Sequence, residues 1–422
     1  MKKIISLLLV ACLCLTLFAL AGCSKNQETE GTKAPEATDA KVEADKDYVI
    51  QIYSNSNSTE RVEWLKAEAE KAGFKIALED NSVINGDNQA INKANENKDG
   101  DVIFGLNETR WTQIIEGQFE NVKLMNFKPD WGDEVGEYVM GDNQAFGLVV
   151  QNILLLYRTD EFGSNGADWT FDHWSEMMEK GVKWYRQNKV GGTTNSNINN
   201  SFLFPFVDKD SPAGGISIDG WKALWKYCAN GTYSADTDWN LGFVALNKGD
   251  VGISTMYSSA LYGYVDSKQG ESEHPLKGTL NPENWKIATI ADGNYYISEY
   301  VGIVEKADRT EAQTEQVKAF VNWFGSAEVQ AKWSEEFDSF PCNQKAVEAV
   351  YGSEIPEIYK VKNMSLETVA DGEKYYEYVY KHSAEWTNIL TNLGFYWKDN
   401  APVAEPDWDN LDWATLVKTA ES

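Results

Sequence analysis

Apolar and polar positions follow two different periods in the first part of the chain. The apolar segment 48–53 predicts a β-strand, and apolar residues at three- and four-residue spacing from about Thr59 predict a helix. Alternation over 74–79 predicts a second strand, 101–105 a short buried strand and 109–117 another helix. This strand–helix–strand–helix order predicts an α/β fold in which neighbouring strands run parallel.

A long apolar segment, FGLVVQNILLLY, follows at 146–157. Gln151 and Asn152 interrupt it, and each side of the interruption is long enough to form a strand. The segment therefore predicts a crossing between two halves of the protein. The segment 285–290 predicts the return crossing.

Two amphipathic helices are predicted between the crossings, one through 174–185 and one through 221–228. The amide-rich segment 193–200 lies between them. It predicts a solvent-exposed loop, although its Asn side chains would also suit the recognition of hydroxyl groups. Further elements are predicted as strands at 251–254 and 301–304 and as helices through 317–324, after a capping Ser326, and through 375–393.

The first residues carry the pattern of a secretory signal. Lys2 and Lys3 precede an apolar run over 4–20, and two small residues stand directly before Cys23. This arrangement resembles the lipobox of bacterial lipoproteins, which implies removal of 1–22 and lipidation of Cys23. A diacyl anchor would hold the protein on the outer face of the cell membrane, so we expect an extracytoplasmic function. A plain transmembrane anchor is the alternative.

The overall charge narrows the choice of partners. Acidic residues outnumber basic ones by 65 to 38, which gives a formal net charge of −27. Loss of Lys2 and Lys3 with the signal would bring it to about −29. Such a surface repels nucleic acid and anionic headgroups, so neither is an expected partner. About 400 residues follow Cys23, enough for two lobes. The polar segment 23–46 predicts a disordered tether.

Cysteine and histidine are too few to indicate a metal centre. Cys12 and Cys14 fall in the signal, which leaves only Cys228 and Cys342 after the lipidated Cys23. That pair fits one disulfide or two buried thiols, and we favour the thiols. We expect no cofactor and no metal site.

Several ordered segments together resemble a known family. They are YVIQIYSNSN at 48–57, DGDVIFGLNETRWTQIIEGQFENV at 99–122, NQAFGLVVQNILLLYRTDEF at 143–162, KGDVGISTMYSSALY at 248–262 and VKAFVNWFGSAEVQAKWSEEFDSFPCNQKAV at 317–347. In order and spacing they resemble extracellular solute-binding proteins of ABC importers, in the two-lobed class of ferric-iron, polyamine, thiamine and sugar receptors.

The resemblance implies a type 2 periplasmic-binding-protein fold, with a mixed sheet flanked by helices in each lobe and a ligand cleft at a strand hinge. It implies a monomer that captures a small solute by hinge closure and delivers it to permease subunits without chemistry on the solute. The implied limits are 47–150 for the first lobe with a return segment at 292–340, 151–291 for the second lobe, and 341–422 for C-terminal helices of unassigned lobe.

Two classes of ligand fit the sequence, a small organic cation and a carbohydrate. The segments 257–262 and 288–299 resemble parts of thiamine-type receptors, and an aromatic face beside a carboxylate suits a small organic cation, which is the favoured ligand. The 16 Trp and 20 Tyr, with the amide-rich segment, suit a carbohydrate as the alternative. Ferric iron is disfavoured because the adjacent tyrosine pair typical of iron receptors does not follow the second-lobe strand.

Two other classes of protein, a hydrolase and an adhesin, fit the sequence less well. A surface-anchored hydrolase needs only two carboxylates, but the sequence carries no nucleophile elbow, zinc-binding helix or phosphate loop. An adhesin would need neither a hinge strand nor polar loops after successive strands. We therefore expect a binding protein and not an enzyme.

Candidate ligand-binding residues follow predicted strand ends or lie near the crossings, where α/β sheets usually bind ligands. They are Tyr53, Ser54, Asn55, Asn107, Glu108, Asn152, Tyr257, Ser258, Ser259, Tyr262, Tyr295 and Glu299.

Overall fold

A computed structural model describes most of the chain after the predicted signal and tether. The described residues are 42–162, 170, 173, 176–177, 180–187, 193–229, 232–235, 240–258, 285–288, 290, 292–395 and 404–418. Cys23 and the predicted signal therefore lie outside the described residues. Of the helices within these ranges, none has the length and apolar composition needed to cross a membrane.

The strands of the described ranges fall in two sheets. In chain order they are β1 (Val49–Ser54), β2 (Lys75–Leu78), β3 (Val102–Leu106), β4 (Val139–Met140), β5 (Ala145–Gln151), β6 (Ile153–Arg158), β7 (Trp184–Gln187), β8 (Thr232–Ala235), β9 (Ile253–Tyr257), β10 (Trp285–Ala288), β11 (Ile297–Ile303) and β12 (Phe340–Pro341).

The helices flank these sheets. They are α1 (Thr59–Lys71), α2 (Asp87–Asn97), α3 (Glu108–Ile115), α4 (Thr159–Phe162), α5 (Thr193–Leu203), α6 (Ile218–Ala229), α7 (Asn240–Lys248), α8 (Glu311–Phe324), α9 (Ala327–Phe337), α10 (Gln344–Tyr351), α11 (Tyr375–Asn392) and α12 (Trp413–Leu416).

Both sheets mix parallel and antiparallel pairs. The first has the strand order β12-β5-β11-β3-β1-β2, with β4 paired to β5. In it β1 runs parallel to β2 and β3, whereas β11 runs antiparallel to β3 and β5. The second has the order β10-β6-β9-β7-β8. In it β7 runs parallel to β8 and β9, whereas β6 runs antiparallel to β10 and β9. The predicted α/β class with two mixed sheets is confirmed.

The chain crosses between the sheets at Asn152. Strand β5 ends in the first sheet at Gln151, and β6 begins in the second sheet at Ile153. The return runs from β10 in the second sheet to β11 in the first. The predicted crossing strand is thus confirmed. The exact lobe limits stay a prediction.

Most of the helices predicted from apolar spacing are present. Helix α1 begins where Ser58 accepts a hydrogen bond from the backbone of Arg61, and α9 begins where Ser326 caps Val329. Helices α6, α8 and α11 carry the predicted apolar stripes on their buried faces. Their agreement reflects the large apolar area that each stripe removes from water.

The amide-rich segment 193–200 is a helix and not a loop, so that prediction is wrong. Asn, Ser and Thr are weak helix formers because their side chains compete for backbone hydrogen bonds. The buried side chains of Ile198, Phe202 and Leu203 bring α5 against the second sheet. Tertiary packing therefore overrides local propensity here.

A second prediction fails at Tyr185. The apolar spacing through 174–185 predicts one helix, but Trp184 and Tyr185 lie in strand β7. Both rings are buried, and β7 pairs with β8 and β9. Short apolar runs fit a helix stripe and a buried strand equally well, and sheet pairing decides between them.

Cys228 and Cys342 are both buried, and neither forms a disulfide. The favoured prediction of two separate thiols is therefore confirmed. Cys228 lies on α6, whereas Cys342 follows β12 at the edge of the first sheet.

Candidate functional site

The end of β3 and the start of α3 form one wall of the candidate site. Asn107 caps α3, because its side-chain oxygen accepts a hydrogen bond from the backbone of Arg110 at 3.2 Å. Its amide nitrogen donates to Asp87 at 2.6 Å. Asp87 begins α2, so this bond ties the starts of two helices together.

Glu108 is the first residue of α3 and is only 1% exposed. Its Oε1 accepts a hydrogen bond from the backbone N–H of Ser298 on β11 at 2.7 Å. Burial raises the pKa of Glu108 to about 8, and the negative charge of Asp87 adds to the rise. Its carboxyl group is therefore mostly protonated and uncharged at neutral pH.

Helix α5 forms the facing wall and presents buried amides. Asn197, Asn199 and Asn200 are each less than a tenth exposed. For Asn199, both the amide nitrogen and the amide oxygen are buried without a hydrogen-bond partner. Buried polar groups in native proteins are nearly always paired, so this amide calls for an explanation such as strain, an ordered water or a bound molecule.

Helix α11 closes the side of the site and contacts both walls. Its Tyr375 hydroxyl donates to the backbone oxygen of Asn200 at 2.8 Å. Trp386 Nε1 donates to the backbone oxygen of Gly214 at 2.6 Å, and Tyr380 is bonded to Gln118 just beyond α3. The helix thus packs on α3 and is hydrogen-bonded to the end of α5 and to Gly214.

These walls enclose a cavity of about 260 Å³, which we call the first compartment. Side chains from α3, α5, β11 and α11 line it. They are Asn107, Glu108, Thr109, Arg110, Asn197, Asn199, Asn200, Leu203, Tyr295, Ile297, Val379, Ser383, Trp386, Thr387 and Leu390.

A second cavity of about 490 Å³, the second compartment, adjoins it. Asn107, Arg110 and Ile297 line both compartments. The other residues that line the second compartment lie on strands of the first sheet, on α2 or directly beside these elements. They are Asn55, Asn85, Gly86, Asp87, Asn88, Gly105, Gln151 and Glu299.

Carboxylates and amides are paired in the second compartment. Asp87 accepts hydrogen bonds at 2.6 Å from the amides of both Asn55 and Asn107. Glu299 accepts one from Gln151. Burial raises the pKa of Asp87, which the positive charge of Arg110 partly opposes. Burial also raises the pKa of Glu299, and there Arg61 provides the opposing charge.

Gly105 shapes this wall through its backbone. It adopts a φ of +72°, and a Cβ atom there would lie 2.5 Å from the Cβ of Ser56. Only glycine lets the loop after β1 approach the end of β3 so closely.

Five of the predicted site residues meet at the two compartments. Asn107 lines both, Glu108 and Tyr295 line the first, and Asn55 and Glu299 line the second. The aromatic ring of Tyr295 and the carboxylate of Glu299 therefore belong to different compartments. Their role in binding stays a prediction.

Other predicted residues lie inside the protein. The hydroxyl of Tyr53 donates to Asp99 at 2.7 Å, and Ser54 Oγ accepts from the backbone of Ser56 at 2.9 Å. The side-chain amide of Asn152 is bonded on both sides, by Asn294 and by the backbone of Ile358. These hydrogen bonds hold the first sheet and the crossing together, and a role of Tyr53, Ser54 and Asn152 in binding stays a prediction.

The predicted second-lobe loop is only partly described. Tyr257 ends β9, and Ser258 exchanges hydrogen bonds with Asn152, through its backbone N–H at 2.9 Å and its hydroxyl at 3.1 Å. Ser258 thereby supports the crossing. Ser259 and Tyr262 lie outside the described residues.

Several lining residues escape prediction from the sequence. Asp87 and Arg110 lie on helices whose polar faces carry many charged residues, and Trp386 lies on a stripe typical of core packing. The run of Asn residues at 195–200 is the one signal in the sequence that could have indicated the facing wall.

Comparison with known proteins identifies relatives across most of the chain. A family model described as bacterial extracellular solute-binding protein matches residues 63–360. The probable ABC transporter periplasmic-binding protein y4fP of Sinorhizobium fredii is 24% identical over 304 residues, which span 71% of this chain and 75% of the relative.

Solved structures share the fold. Ferric iron-binding protein A of Mannheimia haemolytica in an open conformation superposes with a TM-score of 0.58 at 14% identity, covering 83% of this chain and 99% of that one. The Bordetella ferric binding protein gives 0.60 at 13% identity, with coverage of 83% and 100%. The Trichodesmium protein in complex with iron and citrate gives 0.59 at 16% identity, with coverage of 82% and 100%. At these identities the similarity shows the fold and not the solute.

Proposed function

The chain belongs to the bacterial extracellular solute-binding protein family and is the substrate-binding component of an ABC transporter, and we propose that its solute is a polyhydroxy compound of the carbohydrate class. The observation that carries this proposal is the buried, unpaired amide of Asn199 in the wall of the first compartment. An amide offers two donors and an acceptor side by side, and hydroxyl groups both donate and accept.

The remaining lining supports a neutral solute. Amides of Asn107, Asn197 and Asn200 surround Asn199, and Tyr295 and Trp386 add aromatic surface. With a pKa of about 8, Glu108 contributes an uncharged carboxyl that donates as well as accepts at neutral pH.

The solute would act through hinge closure. Its contacts to α3 come from the first lobe, and its contacts to α5 come from the second. A solute that binds both walls stabilises the arrangement in which they face each other, by its differential affinity for that state. The closed protein then delivers the solute, chemically unchanged, to the permease subunits.

A small organic cation is the second candidate. The carboxylates of Asp87 and Glu299 in the second compartment favour it. Arg110 lines the same compartment and Arg61 lies behind Glu299, so the two negative charges face two positive ones. This balance makes a cation the weaker proposal.

Isothermal titration tests the choice of solute. We expect saturable heat from at least one member of a panel of hexoses and disaccharides, and none from thiamine, spermidine or ferric citrate. Asn199→Ala should lower the affinity at least about tenfold, since each lost hydrogen bond to a solute leaves a buried group unpaired. Binding of thiamine or spermidine, with no binding of any carbohydrate, would falsify the assignment. Hydrolysis of a sugar in the calorimeter cell would show that the protein is an enzyme.

We also propose that Cys23 carries a lipid anchor, which rests on the sequence preceding it. Cells expressing the full chain should release it from the membrane fraction when Cys23 is replaced by Ser. Mass spectrometry of the mature protein should find a diacylated N-terminal cysteine. A soluble, unmodified wild-type protein would overturn this part.

A further inference from the structure

The two compartments are neighbours that share part of their lining. Asn107, Arg110 and Ile297 face both cavities. The second compartment, at about 490 Å³, lies within the ~300–1,000 Å³ typical of small-molecule sites, and the first, at about 260 Å³, is smaller than that range. A solute confined to the first compartment would leave the adjoining amide-lined space to water.

Both compartments repeat the same chemistry. Asn199 and Asn200 line the first, and Asn55, Asn85 and Asn88 line the second. Asparagine side chains therefore line both compartments. A solute made of similar hydroxylated units in succession would match this repetition.

The boundary can accommodate the link between two units. Arg110 is anchored by a hydrogen bond from its Nη1 to Gln113 Oε1 at 2.7 Å. A guanidinium carries five N–H donors, so this bond leaves others directed elsewhere. Asn107 is likewise fixed by Asp87 and by its cap of α3. Rigid donors at a boundary favour an oxygen of the solute that crosses it.

We propose, on the basis of the carbohydrate assignment, that the solute is an oligosaccharide of at least two units that occupies both compartments at once. One unit lies between the lobes, against α3 and α5. The next unit lies on the first lobe alone, beside Asp87 and the start of α2. Only the first unit then contributes to lobe closure, while the second adds affinity and selects for length.

Titration of matched pairs tests this: glucose with maltose and cellobiose, galactose with β-1,4-galactobiose, and mannose with β-1,4-mannobiose. In at least one pair the disaccharide should bind at least tenfold more tightly than its monosaccharide, with one molecule per chain. The double variant Asn85→Ala/Asn88→Ala should reduce that ratio to near one. Both side chains are exposed, so the variant is expected to fold.

Asn126→Ala is the matched control, because Asn126 is an exposed asparagine on the first lobe that bonds Asp142 outside both compartments. It should keep the disaccharide preference. Equal affinities for monosaccharide and disaccharide, or two monosaccharides bound per chain, would overturn the two-compartment proposal and leave the carbohydrate assignment standing. Heat from no sugar in the panel would overturn both.

Discussion

Asn294 donates a hydrogen bond from its side-chain nitrogen to the side-chain oxygen of Asn152, 3.0 Å away. Asn152 lies at the outward crossing between the sheets, and Asn294 lies at the return. The same nitrogen of Asn294 reaches the backbone oxygen of Ile153 at 3.1 Å, and its oxygen accepts from Ile290 at 3.2 Å. One buried amide therefore fastens the two crossings to each other.

Asn294→Ala should destabilise the protein strongly. The change leaves three buried polar partners unpaired, each at a cost of about 1–3 kcal/mol. We expect the free energy of unfolding in urea to fall by about 3 kcal/mol or more. Asn126→Ala, at an exposed asparagine, should change it by less than about 0.5 kcal/mol. Equal small effects from both variants would show that the crossings do not depend on this bond.

Asn199→Ala should weaken binding of the solute but leave the stability of the solute-free protein nearly unchanged. The wild-type amide is buried and unpaired, so its removal takes away a polar group that the fold does not use. We expect the free energy of unfolding to change by less than about 1 kcal/mol. Asn57 is an equally buried asparagine that donates to the backbone oxygens of Glu79 and Ile84.

Asn57→Ala therefore serves as the contrast for Asn199→Ala. It leaves two carbonyl groups unpaired and should cost at least about 2 kcal/mol. If Asn199→Ala destabilises the solute-free protein as much as Asn57→Ala does, Asn199 is a structural residue and its place in the proposed site is lost.

Glu108 should make stability depend on pH. The pKa of Glu108 is about 8 in the folded protein, against an ordinary value of 4.5. Between these values the folded state binds more protons than the unfolded state, so the contribution of Glu108 to stability falls as pH rises from 4.5 through 8. Each pKa unit corresponds to about 1.4 kcal/mol.

Glu108→Gln removes this dependence because an amide does not titrate. The free energy of unfolding in urea should be measured at pH 5 and pH 8. From the lower to the higher pH, the value for the variant should rise by at least about 1.4 kcal/mol relative to that of wild type. The exposed Glu60→Gln should show no such gain. A variant that tracks wild type at both pH values would mean that Glu108 is ionised in the folded protein.

Trp386 should stabilise the folded protein through both its ring and its N–H group. The ring is 4% exposed, and Nε1 donates to the backbone oxygen of Gly214. Trp386→Phe keeps most of the buried ring but leaves that oxygen unpaired, at about 1–3 kcal/mol. Trp386→Ala should cost about 3–5 kcal/mol. Unfolding curves that rank the two variants in the opposite order would contradict this account of α11.

The two buried thiols should react only after unfolding. Burial raises the pKa of the Cys342 thiol well above its ordinary value, which keeps it in the unreactive thiol form. Alkylation followed by peptide mass spectrometry should find Cys228 and Cys342 unmodified in the native protein and fully modified in denaturant without reductant. A peptide pair linked by a disulfide would contradict the structure.

The helices and the crossing strand were predictable because their signals are local. The apolar spacing of α1, α8 and α11 follows directly from the geometry of a helix that buries one face. The crossing at Gln151–Asn152 interrupts an apolar run, which is visible without any tertiary contact. Asn55, Asn107 and Glu108 follow strand ends, as the sequence indicates, and they line the two compartments.

The failures lie where a local pattern fits two structures. The apolar residues at 184–185 suit a helix stripe and a strand alike, and only pairing of β7 with β8 and β9 selects the strand. Asn152, predicted as a ligand residue because it lies near a crossing, also has a structural role. Asn294 donates to the side-chain oxygen of Asn152, and the backbone N–H of Asn152 donates to the hydroxyl of Ser258.

The amino-acid sequence by itself determined the α/β class, the crossing strand and the family, because each depends on short-range periodicity or on the order of segments. Only the tertiary structure decided which side chains line the two compartments. Asn199 and Glu108 are far apart in the chain, and their meeting depends on how α5 and α11 pack against α3. That packing follows from the burial of apolar faces over the whole molecule, which no local segment specifies.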